Sequence, residues 1–515
     1  MKKLIYIISV ALGLTTASCN DFLNEEPESA RFTNEFYKTV EQCEQGLTGV
    51  YNGLLPMAKH YLLLNDVRCD DVWTTAADDQ HRDYVDLSVF NPAIYQLAEV
   101  NTAWVDLYEL VYRANLVLEK MEGVEFSDES IKRSFQAEAR FLRAYAYFDL
   151  VRYFGRVPLA MRTLSVSEAS SLKQSEPMEV YEQCIIPDLQ FAIENLLETP
   201  LTAKGKTAGA GHATPVAAKA LLGRVYLTMA GFPLRDESRK DLAAHILKEV
   251  IDYAGTGRFW AEGREMWPHI WISDNDNKYH IFEIQYIAAS NLGNPAVYFQ
   301  VPSLSTEYGT LRMSGYRITM DEGLKKLFKE NSDDIRYKYT YDSKEDFYTK
   351  FFEHKIKRAE LGYGDIDDQI VDRTYFPINY PLIRLEVVML MYAEIVGPTA
   401  EGIAQVNRIR TRAGLQELAG EELTPEGFAK AVDDERRREL AFEGIRWHDI
   451  VRHGNWQELV TRKFNNFIYD SEGNEVHAYY KKYLSNIKPG CYLLPIPDVQ
   501  MKSRPGLYEQ NEAYR

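Results

Sequence analysis

The chain has 515 residues, enough by length alone for two to four domains, and its 45% hydrophobic and 26% charged content is ordinary for a chain that buries a large core. A formal net charge of −17 argues against a nucleic-acid binder, which needs clustered Lys and Arg to neutralise phosphates, and against electrostatic docking on anionic lipid. The 34 tyrosines, 23 phenylalanines and 7 tryptophans exceed what packing asks for and point to a surface that meets flat ligands.

Lys2 and Lys3 precede an apolar run from Leu4 to Leu14 that is too short to cross a bilayer. Thr16-Ala17-Ser18 then leads to Cys19. This predicts a lipoprotein signal peptide over residues 1–18, with Cys19 acylated as the mature N-terminus; two or three chains there satisfy the need for more than one lipid in a stable anchor. The acidic stretch Asn20, Asp21, Glu25, Glu26 and Glu28 follows. Cys43, Cys69, Cys184 and Cys491 show no CxxC spacing, so neither a zinc site nor a dense disulfide framework is expected. Buried thiols are the reading, with a single bridge left open.

Asn34 is placed to cap a helix whose apolar positions are Phe36, Val40, Cys43, Leu47, Val50 and Leu54. Residues 65–95 are irregular and rich in Asp, with Trp73, Tyr84 and Tyr95 among them. Helical spacing returns at Trp104, Leu107, Val111, Ala114 and Leu118. From Ile131 the apolar positions Phe135, Ala139, Leu142, Ala146 and Leu150 trace one helix face, and Arg143 is the only charge between Phe141 and Phe148. A helix apolar nearly all round is covered on most sides, so this one is central; Gly155 and Pro158 stop it. A second hairpin, 180–197 and 215–229, spans a glycine-rich loop at 204–211, and Ala217–Leu227 has the small-residue and aromatic spacing of a tetratricopeptide helix. Further helices are expected at 242–251, 384–396 and 402–412.

Between residues 255 and 380 the helical period gives way to loops, a strand at Tyr279–Tyr286 and one helix from Asp321 to Lys329. The expectation is a predominantly all-α fold: a tetratricopeptide-type scaffold over about 34–254 and 380–453, in four divergent repeats. It carries a loop-rich insertion with short strands over about 255–380, within one domain from 19 to 515.

The most chemically loaded run is Asp433 to Arg452. Glu439 and Glu443 stand four apart with His448 and His453 nearby, a spacing that acid/base or metal chemistry can use. No HExxH spacing is present, however, and Asp433–Arg437 and Asp434–Arg438 are already set to pair one turn apart, so a structural ion network is the reading. Asp274-Asn275-Asp276-Asn277 opens like a calcium loop but lacks the glycine at the sixth place and has Gln285 where the bidentate glutamate belongs. Asp66, Asp70, Asp71, Asp78 and Asp79 read as a solvated loop. With no nucleophile elbow, triad signature or phosphate loop, no catalytic, metal or cofactor chemistry is expected.

Four stretches carry a resemblance. Ala137–Tyr145 with Asp149-Leu150-Val151 and Gly155–Pro158 is similar to the signature helix of the SusD/RagB family, and Asp433–Arg452 resembles its C-terminal signature. Asn407–Leu415, preceded by Tyr392-Ala393-Glu394, and Leu494–Pro497 with Tyr508–Asn511 and Tyr514 fit as well. Arg504-Pro505 and Glu512-Ala513 depart from the usual Asn-Pro and Pro-Gly. The resemblance implies a nutrient-binding lipoprotein anchored on the outer membrane. Such a protein takes up a glycan, or alternatively a peptide, for a SusC-like TonB-dependent transporter. A surface glycoside hydrolase needs two carboxylates at a defined separation, and no such pair stands out; a scaffold that only assembles proteins is expected to show an apolar groove instead. Ligand contacts are expected from two loops, 65–95 and 290–317, through Asp71, Trp73, Arg82 and Tyr84 from the first and Tyr298 and Tyr308 from the second.

Overall fold

The computed structural model describes residues 36–76, 82–275, 278–289, 292–300, 316–344, 346–353, 355–364, 376–470 and 472–515. The first long helix, α1 (Val40–Asn52), starts at Thr39 rather than at Asn34, which lies outside the described residues. Thr39 and Gln42 form a reciprocal capping box that satisfies two otherwise orphaned amides, so the cap forms one turn later than the apolar spacing suggests. Then come α2 (Ala98–Met121) and α3 (Glu129–Phe154), the latter capped by Asp128. Every residue of α3 from Phe141 to Leu150 is buried, as a helix apolar on all sides requires. Arg143 tolerates that burial because Asp188 takes its guanidinium in two bonds (2.7 and 2.9 Å) and Asn115 takes a third (2.7 Å). Gly155 ends α3 at φ 70°, where a side chain would also press on Leu493 at 2.9 Å.

The helix expected over 180–197 is interrupted. Tyr181–Ile185 is π-wound before α4 (Ile186–Asn195), where Pro187 has no amide to offer the preceding turn. After α5 (Pro215–Ala230) and α6 (Arg239–Ala254) the chain leaves the helical array and returns at α7 (Leu385–Val396) and α8 (Ala400–Ala413). Each of α1 to α8 packs against the next, α6 against α7 included, so the stack continues as though residues 255–384 were absent. That is the architecture of a helical repeat array with an insertion looped out of it.

The insertion is tied down by two antiparallel ribbons. β1 (Val72–Ala76) pairs with β3 (Tyr316–Met320), Trp73 opposite Thr319 and Ala76 opposite Tyr316. β2 (His280–Ile284) pairs with β4 (Tyr380–Arg384), which runs directly into α7. The second strand was not legible: all five residues of β4 are buried, so no alternation marks it. The closing elements are α9 (Pro425–Glu439), α10 (Arg446–His453) and α11 (Trp456–Ile468). One continuous apolar core runs from Cys43 to Tyr508, and the four described cysteines sit buried as free thiols. No helix among the described residues is long and apolar enough to cross a membrane.

Candidate functional site

The carboxylates of the C-terminal run are committed to structure. Glu439, fully buried, accepts from Trp267 Nε1 (3.1 Å), Arg384 Nη1 (3.0 Å), Arg412 Nη2 (2.9 Å) and Arg336 Nη1 (3.0 Å). Burial alone would raise its pKa, but Arg412, Arg384 and Arg336 outweigh burial and hold the carboxyl well below the usual carboxylate range. Glu443 takes Lys350 Nζ (2.6 Å) and Arg384 (2.8 Å). Neither group is free to move a proton to or from a ligand.

The expected pairs within α9 do not form. Arg437 reaches Asp71 (2.8 Å), Asp433 takes Arg446 of α10, and Asp434 takes Lys430. His453 lies 2.9 Å from Glu394, while burial pushes the His448 pKa well down and keeps that ring neutral. Of the calcium-like loop, Asp274 pairs with Arg358 (2.8 Å), and residues 276–277 lie outside the described residues. No group of three or more His, Cys, Asp or Glu among the described residues is arranged to hold a metal ion.

The first expected loop contains β1, and the second, 290–317, ends in the first two residues of its partner β3, Tyr316 and Arg317, which face Ala76 and Thr75. The chosen residues of the two loops are placed otherwise than expected. Asp71 is buried, its carboxylate on Arg437 and its carbonyl accepting from the Asp321 amide (2.8 Å). Trp73, 3% exposed, is packed inside, and Tyr84 is buried too. These positions correct the expectation that the three stand on an open face. Of the carboxylates that suggested a solvated loop, Asp71 and Asp70 are instead neutralised by arginines of α9 and α10 that are remote in sequence, Asp70 receiving Arg446 in two bonds (2.8 and 2.9 Å); Asp66 is buried and accepts from the Gly444 amide (3.0 Å), and Asp78 and Asp79 lie outside the described residues. Arg82 opens the short helix Arg82–Ser88 and Tyr298 lies in the helix Pro295–Gln300, but their side chains are outside the described residues, as are Tyr308 and Cys19 altogether.

An aromatic column rises from Trp73 to the surface. Phe467 stacks on Trp73 with ring centres 4.1 Å apart, and His477 stacks on Phe467 at 4.3 Å and 12°. Tyr480 meets Trp73 and Phe467 edge-on at 5.5 and 5.1 Å, and Tyr479 and Tyr483 extend the cluster outward at 5.6 and 5.9 Å from Tyr480. Tyr479 is 64% exposed and His477 is exposed, so the column ends at the surface. The Lys482 ammonium lies 3.7 Å from the centre of the Tyr479 ring and 4.8 Å from that of Tyr483. Lys463, buried beneath, donates to the carbonyls of Cys69 (2.7 Å) and Val72 (3.2 Å) and so fixes β1 to α11.

The arrangement offers exposed rings backed by a rigid core, with the Lys482 ammonium over one face of Tyr479; aromatic rings and polar groups together are the chemistry that holds the apolar face of a sugar and bonds its hydroxyls. These rings were missed in the sequence, although His477-Ala-Tyr-Tyr-Lys-Lys-Tyr483 carries a signal in its density of aromatic and basic residues.

The chain is thus a predominantly helical repeat array with a looped-out insertion and an exposed aromatic ledge. Residues 314–514 match the model of the SusD family, and residues 21–227 match that described as starch-binding and associating with the outer membrane. The chain belongs to the SusD/RagB family.

It is 25% identical over 493 residues to a SusD-like protein of Bacteroides ovatus, covering 91% of this chain and 85% of the relative. A SusD-like protein of Formosa agariphila is 24% identical over 558 residues, with both chains fully covered. Among solved structures, a SusD homolog from Bacteroides thetaiotaomicron superimposes with a TM-score of 0.73 at 23% identity, covering 93% of this chain and 98% of the other. A laminarin binding SusD-like protein gives 0.70 at 26% identity, covering 93% and 100%.

Proposed function

We propose that this protein captures a glycan at the outer surface of the cell and passes it to a SusC-like TonB-dependent transporter, held to the membrane by lipid on Cys19. The observation that carries the ligand class is the aromatic column: exposed His477 on a base of Phe467 and Trp73, with exposed Tyr479 joined to them edge-on through Tyr480, gives rings suited to a sugar. The laminarin binding SusD-like protein, at 26% identity, supports the same class.

The protein acts by binding alone. The buried carboxylates Glu439 and Glu443, each held by cations, support that reading because they are not available as an acid and a base. The stacked helices offer an extended rigid surface for the transporter, leaving the ledge to the ligand. A glycan array on the protein lacking residues 1–19 tests the ligand class. At least one oligosaccharide family is expected to bind and to be recovered uncleaved after prolonged incubation. Binding of peptides only, or cleavage abolished by changing one carboxylate of this chain, would overturn the proposal.

A further inference from the structure

Beneath the corner formed by α9 and α10 lies a cavity of about 40 Å³, walled by Tyr145, Arg152, Arg224, Tyr380, Arg436 and His448 among others. By volume it admits a few water-sized bodies and no organic ligand, since one such body needs roughly 10–15 Å³ measured this way. A larger pocket of about 240 Å³ adjoins it, sharing Arg152, Thr228, His448 and Arg452 as common walls and adding Arg156 toward the surface.

The charges around the inner cavity do not close. Asp449 is taken by Arg436 (2.8 Å) and Arg452 (3.1 Å), Asp149 by Tyr61 (2.6 Å) and Arg152, and Glu443 by Lys350 and Arg384. Arg224 receives none of these carboxylates. Among the described residues it forms no ion pair, and its guanidinium donates to the Leu382 carbonyl (3.1 Å). Arg436, 2% exposed, has a buried Nη1 with no protein partner, and the Tyr380 hydroxyl and His448 Nε2 are buried and unpartnered as well. Arg224 is half-buried; burial pulls its pKa down, Arg152 and Arg436 add to that, and Tyr145 and Asp449 oppose it. Arg152 has Asp149, Arg436 has Asp449 and Arg452 has Glu394 (2.6 Å) as well, so three of the cavity's guanidiniums have a carboxylate each, the fourth has none, and a buried donor of Arg436 is left unpartnered.

We propose that this cavity binds a small monovalent inorganic anion of chloride size, held by Arg224 of α5 and Arg436 of α9 and reached through the adjoining pocket. The anion supplies the missing charge and bridges the helical array to the C-terminal corner. The tests use the intact protein with bromide and chloride as probes. Crystals grown or soaked in sodium bromide are expected to show an anomalous peak between Arg224 and Arg436. At constant ionic strength the melting temperature is expected to be higher in chloride than in gluconate, and Arg224→Met, checked for folding by circular dichroism, is expected to lose that difference. A cavity holding water alone gives density with no anomalous peak, and that result overturns the proposal whatever the melting series shows. A folded Arg224→Met that keeps the wild-type chloride dependence overturns it equally.

Discussion

Glu439→Gln isolates what the buried ion network contributes. The substitution keeps the side chain's shape, removes one negative charge from among Arg336, Arg384 and Arg412, and turns one acceptor into a donor facing a guanidinium. Removing one partner of a buried pair costs roughly 3–5 kcal/mol. The low end applies here, because each arginine keeps another carboxylate: Asp334 and Glu435 for Arg336, Glu386 and Glu443 for Arg384, Glu386 for Arg412. The expected loss is therefore about 3 kcal/mol at neutral pH.

The pH dependence has a definite sign. Glu439 has a folded pKa depressed below its unfolded value, so its stabilisation is present above about pH 4.5 and is lost as pH falls through the folded pKa. Urea unfolding followed by tryptophan fluorescence reads the change directly, with Trp267 donating to the altered carboxyl and Trp271 packed against Trp267 at 5.7 Å. Midpoints of wild type and variant are compared at pH 7.5 and pH 4, and the gap is expected to narrow at the lower pH. A variant whose midpoint matches wild type at pH 7.5 would refute the network as a source of stability.

Trp73→Ala removes a ring that is 3% exposed and stacked on Phe467, and is expected to cost about 3–5 kcal/mol in a urea titration, where an exposed binding residue would leave stability unchanged. Asp321 has its pKa raised by burial to about 6 from 3.8, so its charge costs nothing below pH 3.8 and its full penalty above about pH 6. Asp321→Asn keeps an oxygen for the Gly323 amide and is expected to stabilise the protein by roughly 3 kcal/mol at pH 8 and by little at pH 4, read as melting temperature at the two pH values. Cys19→Ala is expected to release the protein from membranes or to trap its precursor, and an unchanged outer-membrane fraction would contradict lipidation.

The scaffold was legible because its signal is local. The apolar spacing of α3, the small residues of α5 and the glycine at 155 each act within one or two turns, and the structure places helices where they predict. Boundaries slipped where a side chain decides, as with Thr39 and Gln42 at the start of α1, or where burial erases a period, as in β4. The site was harder to read for the same physical reason. Asp70 and Asp71 look solvated until Arg437 and Arg446, more than 360 residues away, fold onto them. Trp73 looks available until α11 brings Phe464 and Phe467 against it, which leaves the exposed rings to a segment, 477–483, that no motif marks.

The most direct test of glycan capture is the affinity of wild type and Tyr479→Ala for an oligosaccharide identified on the array, measured by isothermal titration calorimetry beside their melting temperatures. Tyr479 is mostly exposed, so its loss is expected to leave the melting temperature unchanged and to weaken binding by about 1–3 kcal/mol, roughly 5- to 150-fold. Equal affinities for the two proteins would contradict the aromatic ledge as the glycan site.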